Sequence, residues 1–252
     1  MKLLKRFMLF IQGFFIFNIL WYILSLLVNM NVLPKPTEIY FGRNPLYEDK
    51  LYLHIGASLY RIFAALSLSL VLGLIIGLLM AYSSPCSKIL NPLVYFTYPI
   101  PKTALLPVVM LVFGLGNDSK IILLVFILIF HTIISVRDGV LNISAETLYP
   151  LKSLGASNLQ LFKHVLFPAI LPELLTNTRL SIGTALSILF FAEAYGTSYG
   201  IGYYILDAWT RINYIDMYTG ILAISLLGFF LFFTIDVIEE KTCKWKTKDS
   251  QS

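Results

Sequence analysis

From His54 to Tyr82 the chain reads HIGASLYRIFAALSLSLVLGLIIGLLMAY, with Arg61 as its only formally charged side chain. About 20 apolar residues in a helix cross the hydrocarbon of a bilayer. This run exceeds that length, so it is read as a membrane span. Further apolar runs occupy Phe7–Val28, Ile121–Val136, Leu174–Glu193 and Met217–Ile238, and a proline-interrupted one occupies Asn91–Leu115. Backbone donors and acceptors find no water in lipid, so spans are helices or closed barrels. These runs are continuous rather than alternating. The expected fold class is therefore all-α, a polytopic membrane protein of about six transmembrane helices. Only 13% of residues are charged, against about 25% in an average soluble chain. The formal net charge of +5 then points to membrane orientation rather than to nucleic acid.

The six runs set out the rest of the chain. Met1–Arg6 is short and basic, and no small-x-small cleavage site follows the first span, so that span is expected to be retained. Asn29–Leu53 carries Pro34, Pro36, Gly42, Asn44 and Pro45 and reads as a polar loop. Ser83–Leu90 reads as a short loop and Gly114–Lys120 as a tight turn. Gly196–Asp216 reads as a polar loop, and Glu239–Ser252 as a charged, disordered tail. Gly73-x-x-x-Gly77 permits close approach of a second helix. Pro92, Pro99, Pro101 and Pro107 forbid a straight third span, and a broken span often lines a transport path.

Lysine and arginine orient the whole. With the N-terminus inside, the cytoplasmic segments hold Lys2, Lys5, Arg6, Lys88, Arg137, Lys152, Lys163, Lys241, Lys244, Lys246 and Lys248. The outer loops hold Lys35, Arg43, Lys50, Lys120 and Arg211. The bias places both termini and Arg137–Pro168 in the cytoplasm.

Leu151–Pro172, LKSLGASNLQLFKHVLFPAILP, is the polar interruption with the most structure. Gly155 is suited to end one helix in a left-handed conformation. Ser157 with Gln160 forms a capping box that starts another. Leu159, Phe162, Val165 and Leu166 then follow at helical spacing, opposite Asn158, Gln160, Lys163 and His164. Pro168 and Pro172 are expected to stop this short helix. The product is a ledge between spans with an apolar stripe suited to docking.

Three motifs in order carry a family resemblance. The ledge has Ser153-Leu154-Gly155-Ala156-Ser157, then Leu166-x-Pro168-x-x-Leu171-Pro172. Thr97–Gly116, TYPIPKTALLPVVMLVFGLG, has a Pro-x-Pro, Ala-Leu-x-Pro, Phe-Gly-x-Gly series. Phe190–Ile205 has Ala192, Glu193, Gly196, Gly200, Gly202 and Tyr203. Together with LPKPTEIY after the first span, these resemble ABC-importer permeases of the nitrate/sulfonate/taurine type, from about Leu33 to about Ile238. That family usually has Glu-Ala-Ala before Ser-Leu-Gly. This chain has Tyr149-Pro150-Leu151, and Pro150 is expected to break a helix there.

The resemblance implies a MetI-like ABC-permease architecture with a cytoplasmic coupling helix. It implies one permease transmembrane domain over residues 1–252, with a core at 54–240, the first span within 1–28 and a cytoplasmic tail at 239–252. It assigns ATPase coupling to Ser153, Leu154, Gly155, Ala156, Ser157, Leu159, Phe162, Lys163, Leu166 and Pro168. Its implied partners are two copies of an ABC ATPase subunit, a second permease copy or a paralogue, and an extracytoplasmic solute-binding protein, all organised on the inner-membrane bilayer. The mechanism implied is ATP-driven import of a small solute by alternating access, the solute being nitrate, a sulfonate, taurine or a vitamin precursor.

The translocation path is expected to use Pro99, Pro101, Lys102, Pro107 and Glu193. Lys102 either meets an anionic solute or reaches the membrane interface, the simpler reading. Glu193 is either near the outer end of the path or an anchor for the glycine-rich loop. Arg61 and Arg179 are expected to snorkel. His54, His131 and His164 are scattered, and His131 reads as a packed, hydrogen-bonded histidine. Cys86 and Cys243 lack metal-ligand spacing. No Walker A loop, His-Glu-x-x-His or Gly-x-Ser-x-Gly motif is present. No cofactor, metal or catalytic residue is therefore assigned. An ion-coupled secondary transporter would want buried paired carboxylates, and a membrane enzyme a catalytic cluster; each is the weaker alternative. A Ser157→Cys variant should label with a membrane-impermeant thiol reagent in inside-out vesicles and not in intact cells. Labelling of intact cells would invert the topology.

Overall fold

A computed structural model describes residues 2–42, 50–97 and 99–247. Its long elements are helices: α1 (Lys2–Val28), α2 (Pro36–Phe41), α3 (Leu51–Tyr82), α4 (Ser84–Thr97), α5 (Leu106–Phe113), α6 (Asn117–Leu141), α7 (Ala145–Ser153), α8 (Asn158–Leu161), α9 (Phe167–Glu193), α10 (Ile201–Thr210) and α11 (Tyr214–Thr242). A 3₁₀ turn, Lys102–Leu105, leads into α5, and a π-helical turn, Phe162–Leu166, joins α8 to α9. Five helices are long and apolar enough to cross a membrane, and the bent pair Ser84–Thr97 with Lys102–Phe113, counted as one span, makes six.

Several expected boundaries move. The loop expected at Asn29–Leu53 contains α2, started by Pro36 at its first turn, where a missing N–H costs nothing; its Asn44 and Pro45 lie outside the described residues. The loop expected at Ser83–Leu90 is mostly helix, because α4 begins at Ser84 and runs through Pro92. An interior proline removes one backbone bond without ending the helix here. The break falls instead at Pro99–Pro101. Pro107 sits within the first turn of α5, where the helix tolerates it. The turn expected at Gly114–Lys120 already contains the start of α6 at Asn117. The tail expected from Glu239 is helical to Thr242 and turns again over Lys244–Thr247, with Cys243 buried.

The chain divides into two compact units. The first comprises residues 1–60 and 189–230. In it α1 and α11 run antiparallel: Trp21 packs on Tyr218 at 5.3 Å between ring centroids, and Phe10 stacks on Phe229. The Tyr40 hydroxyl of α2 donates to Asn18 Oδ1 of α1 at 2.8 Å.

The second unit comprises residues 61–188 and 231–252 and is built around α6. Leu123, Leu124, Leu128, Ile133 and Val136 of α6 are all buried. Met80 of α3, Val94 of α4, and Phe130 and Ile133 of α6 form one apolar cluster. Val136 of α6 with Ile170 and Leu174 of α9 form another, flanked by Leu70, Leu74 and Leu78 of α3. Lipid is as apolar as these side chains, so close packing rather than water exclusion holds such helices together.

Gly73 and Gly77 make that packing possible, as their spacing predicts. A β-carbon at Gly73 would lie 2.5 Å from Thr132 Cβ, and one at Gly77 would lie 2.8 Å from Val136 Cβ and 2.9 Å from the Ile133 carbonyl. The backbone of α3 therefore rests directly on α6. Gly77→Leu should cost about 1–3 kcal/mol through overpacking, seen as a lower melting temperature of the detergent-purified chain. Gly13→Leu, where nothing lies within 4 Å of an added β-carbon, should leave it nearly unchanged.

Candidate functional site

The ledge is built by two caps set back to back. Helix α6 ends with Asn142 as its cap, and Ser144 starts α7 from an extended conformation. Pro150 lies inside α7 and does not break it, contrary to the expectation from its sequence position. The helix is only nine residues long, so losing one interior bond leaves both its ends tied. At its far end Gly155 has φ +78°. The Gly155 N–H donates to the Lys152 carbonyl and the Ala156 N–H to the Leu151 carbonyl, each at 3.0 Å. This is the paired 5→2 and 6→1 arrangement that closes a helix with a left-handed glycine.

The next helix starts two residues later. Ser157 Oγ accepts from the Gln160 N–H at 3.4 Å, and the Ser157 N–H donates to Gln160 Oε1 at 2.7 Å. The predicted capping box is thus formed in both directions. Pro168 and Pro172, however, do not stop the helix. The path Asn158–Glu193 is a single span-length helix. The wider π turn at Phe162–Leu166, closed by the Phe167 N–H on the Phe162 carbonyl, absorbs an extra residue just before Pro168. That shift relieves the clash a proline ring makes with the carbonyl four residues back. Pro172 then sits inside α9.

Side-chain directions differ from the expected stripe. Leu161 and Leu166 are buried. Phe162 is half-buried, its ring 5.8 Å from that of Phe167. Ala156, Val165, Pro168 and Leu171 are half-buried, whereas Ser153, Ser157, Asn158, Gln160, Lys163 and His164 are exposed. The apolar side chains presented outward are Leu154, 84% exposed, and Leu159, 75% exposed, on either side of the Gly155 turn, with Tyr149 beside them in sequence. Regular helical spacing does not carry through from Leu159, because the π turn at Phe162–Leu166 inserts an extra residue into the ladder. No β-carbon contact restricts Gly155 within 4 Å, so only its φ constrains the residue.

The glycine-rich loop after α9 has a second constellation. Glu193 is fully buried. Its carboxylate accepts from Ser58 Oγ at 2.8 Å and from the Gly202 N–H at 2.9 Å. Ser58 Oγ in turn accepts from the Ile201 N–H at 2.9 Å. Ile201 and Gly202 open α10, so a carboxylate and a hydroxyl serve the free donors, and the partial positive charge, of a helix N-terminus. Gly202 is needed at this spot, since a β-carbon there would lie 2.5 Å from the Phe190 carbonyl. His54 completes the group. Its Nδ1 lies 3.2 Å from the Gly200 nitrogen, and its ring packs among Tyr199, Tyr203 and Tyr204. Of the two readings of Glu193, this geometry is that of the loop anchor. Ser58 and His54 precede it by more than 130 residues in sequence, and no sequence signal singled them out.

Arg61, Arg179, Lys120 and Lys102 also have partners within the chain. Arg61 is buried, and its Nε donates to Asn117 Oδ1 at 2.8 Å. Arg179 is paired with Asp236 and, at 2.6 Å, with Glu239. Neither snorkels as expected, because each finds an acceptor on a neighbouring helix. Lys120, assigned to an outer loop, is fully buried and donates to the Leu115 carbonyl at 2.8 Å. Lys102 Nζ lies 5.3 Å from the centre of the Phe130 ring. Pro99, Pro101 and Pro107 are exposed on the described chain. The path residues of the broken span thus lie together in sequence, while Glu193 belongs to the other compact unit. His131 Nδ1 lies 3.2 Å from the Ile127 carbonyl within its own helix, as its packed reading requires.

Comparison with known proteins is consistent along most of the chain. The taurine transport system permease protein TauC of Escherichia coli (strain K12) is 28% identical over 232 residues, spanning 89% of this chain and 84% of TauC. The formylaminopyrimidine transport permease protein ThiX of Halalkalibacterium halodurans is 28% identical over 236 residues, spanning 93% of this chain and 94% of ThiX. Among solved structures, a chain of the inward-facing MetNI methionine ABC transporter superposes with a TM-score of 0.65 over 77% of this chain and 98% of its own length, at 20% identity; it shares the fold. Residues 69–242 match the family described as binding-protein-dependent transport system inner membrane component. With five apolar span-length helices among the described residues, or six with the bent pair, a capped ledge between two of them and this match, the chain belongs to that family, as a multi-pass, non-enzymatic permease subunit of an ABC importer.

Proposed function

We propose that the ledge from Ala145 to Leu166 docks on an ABC ATPase subunit in the cytoplasm and that its displacement drives alternating access. The observation that carries this is the pair of outward-facing leucines, Leu154 and Leu159, set on caps that continue without interruption into a span. Exposed apolar side chains on a segment that also exposes Ser153, Ser157, Lys163 and His164 are suited to enter a partner's cleft, with polar residues at its rim. Leu166 and Pro168 support the ledge from inside, and Phe162 braces it against Phe167.

In this reading residues 1–252 act as one transmembrane domain, with a core at 54–240, a first span within 1–28 and a cytoplasmic tail at 239–252. Both termini lie in the cytoplasm, following the lysine and arginine bias. Two ATPase subunits and a second permease copy or paralogue complete the membrane complex, and a solute-binding protein delivers cargo from outside. The cargo is a small solute of the kind for which TauC and ThiX are named, taurine or a formylaminopyrimidine. The broken span carrying Pro99, Pro101, Lys102 and Pro107 lines the path, and Glu193 anchors the glycine-rich loop rather than touching the solute.

The ledge is tested by co-purification of the ATPase subunit of the same transport system. Leu154→Asp and Leu159→Asp should each weaken binding by about 2 kcal/mol, roughly thirtyfold, as interface anchors do. Gly155→Val should act more mildly, through about 1 kcal/mol of φ strain. Lys163→Ala should bind nearly as the parent does. Normal ATPase binding by both aspartate variants would remove the ledge from coupling. For the path, cysteine scanning from Thr97 to Val109 should find water-accessible positions, and a profile unreactive throughout would exclude this segment.

A further inference from the structure

Arg179 lies in α9, the helix that continues from the ledge. Its Nη2 faces two carboxylates of α11, Asp236 Oδ1 and, at 2.6 Å, Glu239 Oε2. One turn further along α9, a β-carbon at Gly183 would meet the Phe232 ring at 3.7 Å. Positions 179 and 183 on α9 thus face 239, 236 and 232 on α11, the register of two antiparallel helices. All of these residues belong to the second compact unit. The three charged side chains are only about one-fifth to one-quarter exposed, at 27%, 20% and 17%.

Such a group is a poor way to gain stability alone. Partly desolvated ion pairs are often no better than well-packed apolar residues of similar size. Their distinct property is direction, since an arginine facing two carboxylates tolerates little sliding of one helix on the other. We propose that Arg179 is a positioning residue: with Asp236 and Glu239 it locks the register of α9 against the C-terminal segment of α11, so that displacement of the ledge carries both helices together. The proposal rests on the coupling reading of the ledge.

The test uses the assembled transporter in proteoliposomes, with Cys86→Ser and Cys243→Ser and a new pair, Gly183→Cys with Phe232→Cys. Cross-linking yield with a short bifunctional thiol reagent, which spans the space the Phe232 ring leaves, is measured without nucleotide and after trapping with ATP and vanadate. With the clamp intact, the yield should be the same in both states. With Arg179→Gln it should fall roughly threefold or more on trapping while staying normal without nucleotide. Exchanging the charges, Arg179→Glu with Glu239→Arg, should restore the state-independent yield. Replacing all three by leucine should leave the melting temperature equal or higher, yet reproduce the Arg179→Gln pattern.

A parent-like yield in either the glutamine or the triple leucine variant overturns the proposal. So does loss of assembly in both the glutamine and charge-exchange variants, which would mean that the group holds the fold and not the register. Failure of the coupling reading would show differently, as ATPase co-purification insensitive to Leu159→Asp.

Discussion

The constraint on which the rest depends is that a backbone donor or acceptor in lipid must find a partner within the protein. Four departures from straight helix among the described residues are each accompanied by a local repair. Where α7 ends, the Gly155 turn returns two N–H groups to carbonyls of the last turn. Where α8 begins, Ser157 and Gln160 satisfy each other's main chains. Where α10 begins, Ser58 and Glu193 accept from its first two N–H groups. At the start of α6, the buried Lys120 ammonium takes the Leu115 carbonyl. These irregular pieces carry specific polar partners of their own.

Within the second unit, close backbone approach sets what can move. Helix α6 is covered by α3 through Gly73 and Gly77 and by α9 through Ile170 beside Gly139. Backbone packed directly against a neighbour's side chains makes a stiff contact, because packed interiors have no slack volume to absorb a shift. The π turn is the contrasting element. It lies between the ledge and α9, where the regular ladder is relaxed by one residue, and such turns recur at functional positions in helices. The second unit thus joins a stiff bundle to the ledge through a relaxed turn.

The ionisable residues divide along the same line. Glu193, Arg61, Lys120 and Arg179 all lie on segments that read as spans or their immediate ends, and each is turned toward a protein partner. Depth in the membrane would have made any of them expensive if alone. Pairing converts that cost into directional contacts, which a chain rich in leucine, isoleucine and phenylalanine otherwise lacks.

Much of this was determined by the sequence itself. The length of the apolar runs decided an all-α fold of six spans, because a bilayer has a definite thickness and forbids unpaired backbone. Gly155 and the Ser157–Gln160 box were readable because caps depend on residues three or four apart. Gly73-x-x-x-Gly77 announced a close helix contact, for a similar local reason. Tertiary structure alone decided the rest. Pro150, Pro168 and Pro172 looked like stops, yet whether a proline ends a helix depends on whether a wider turn and neighbouring helices absorb it. Of the ledge's apolar side chains, Leu154 and Leu159 are exposed whereas Leu166 is buried and Phe162 half-buried, because the left-handed turn and the π turn set side-chain directions that no periodicity encodes. Ser58 and His54 joined Glu193 and Gly200, and Asp236 and Glu239 joined Arg179, across 57 to 146 positions of chain. A single sequence carries no record of which distant polar groups meet, since any span offers several candidates and only the packing of helices selects among them.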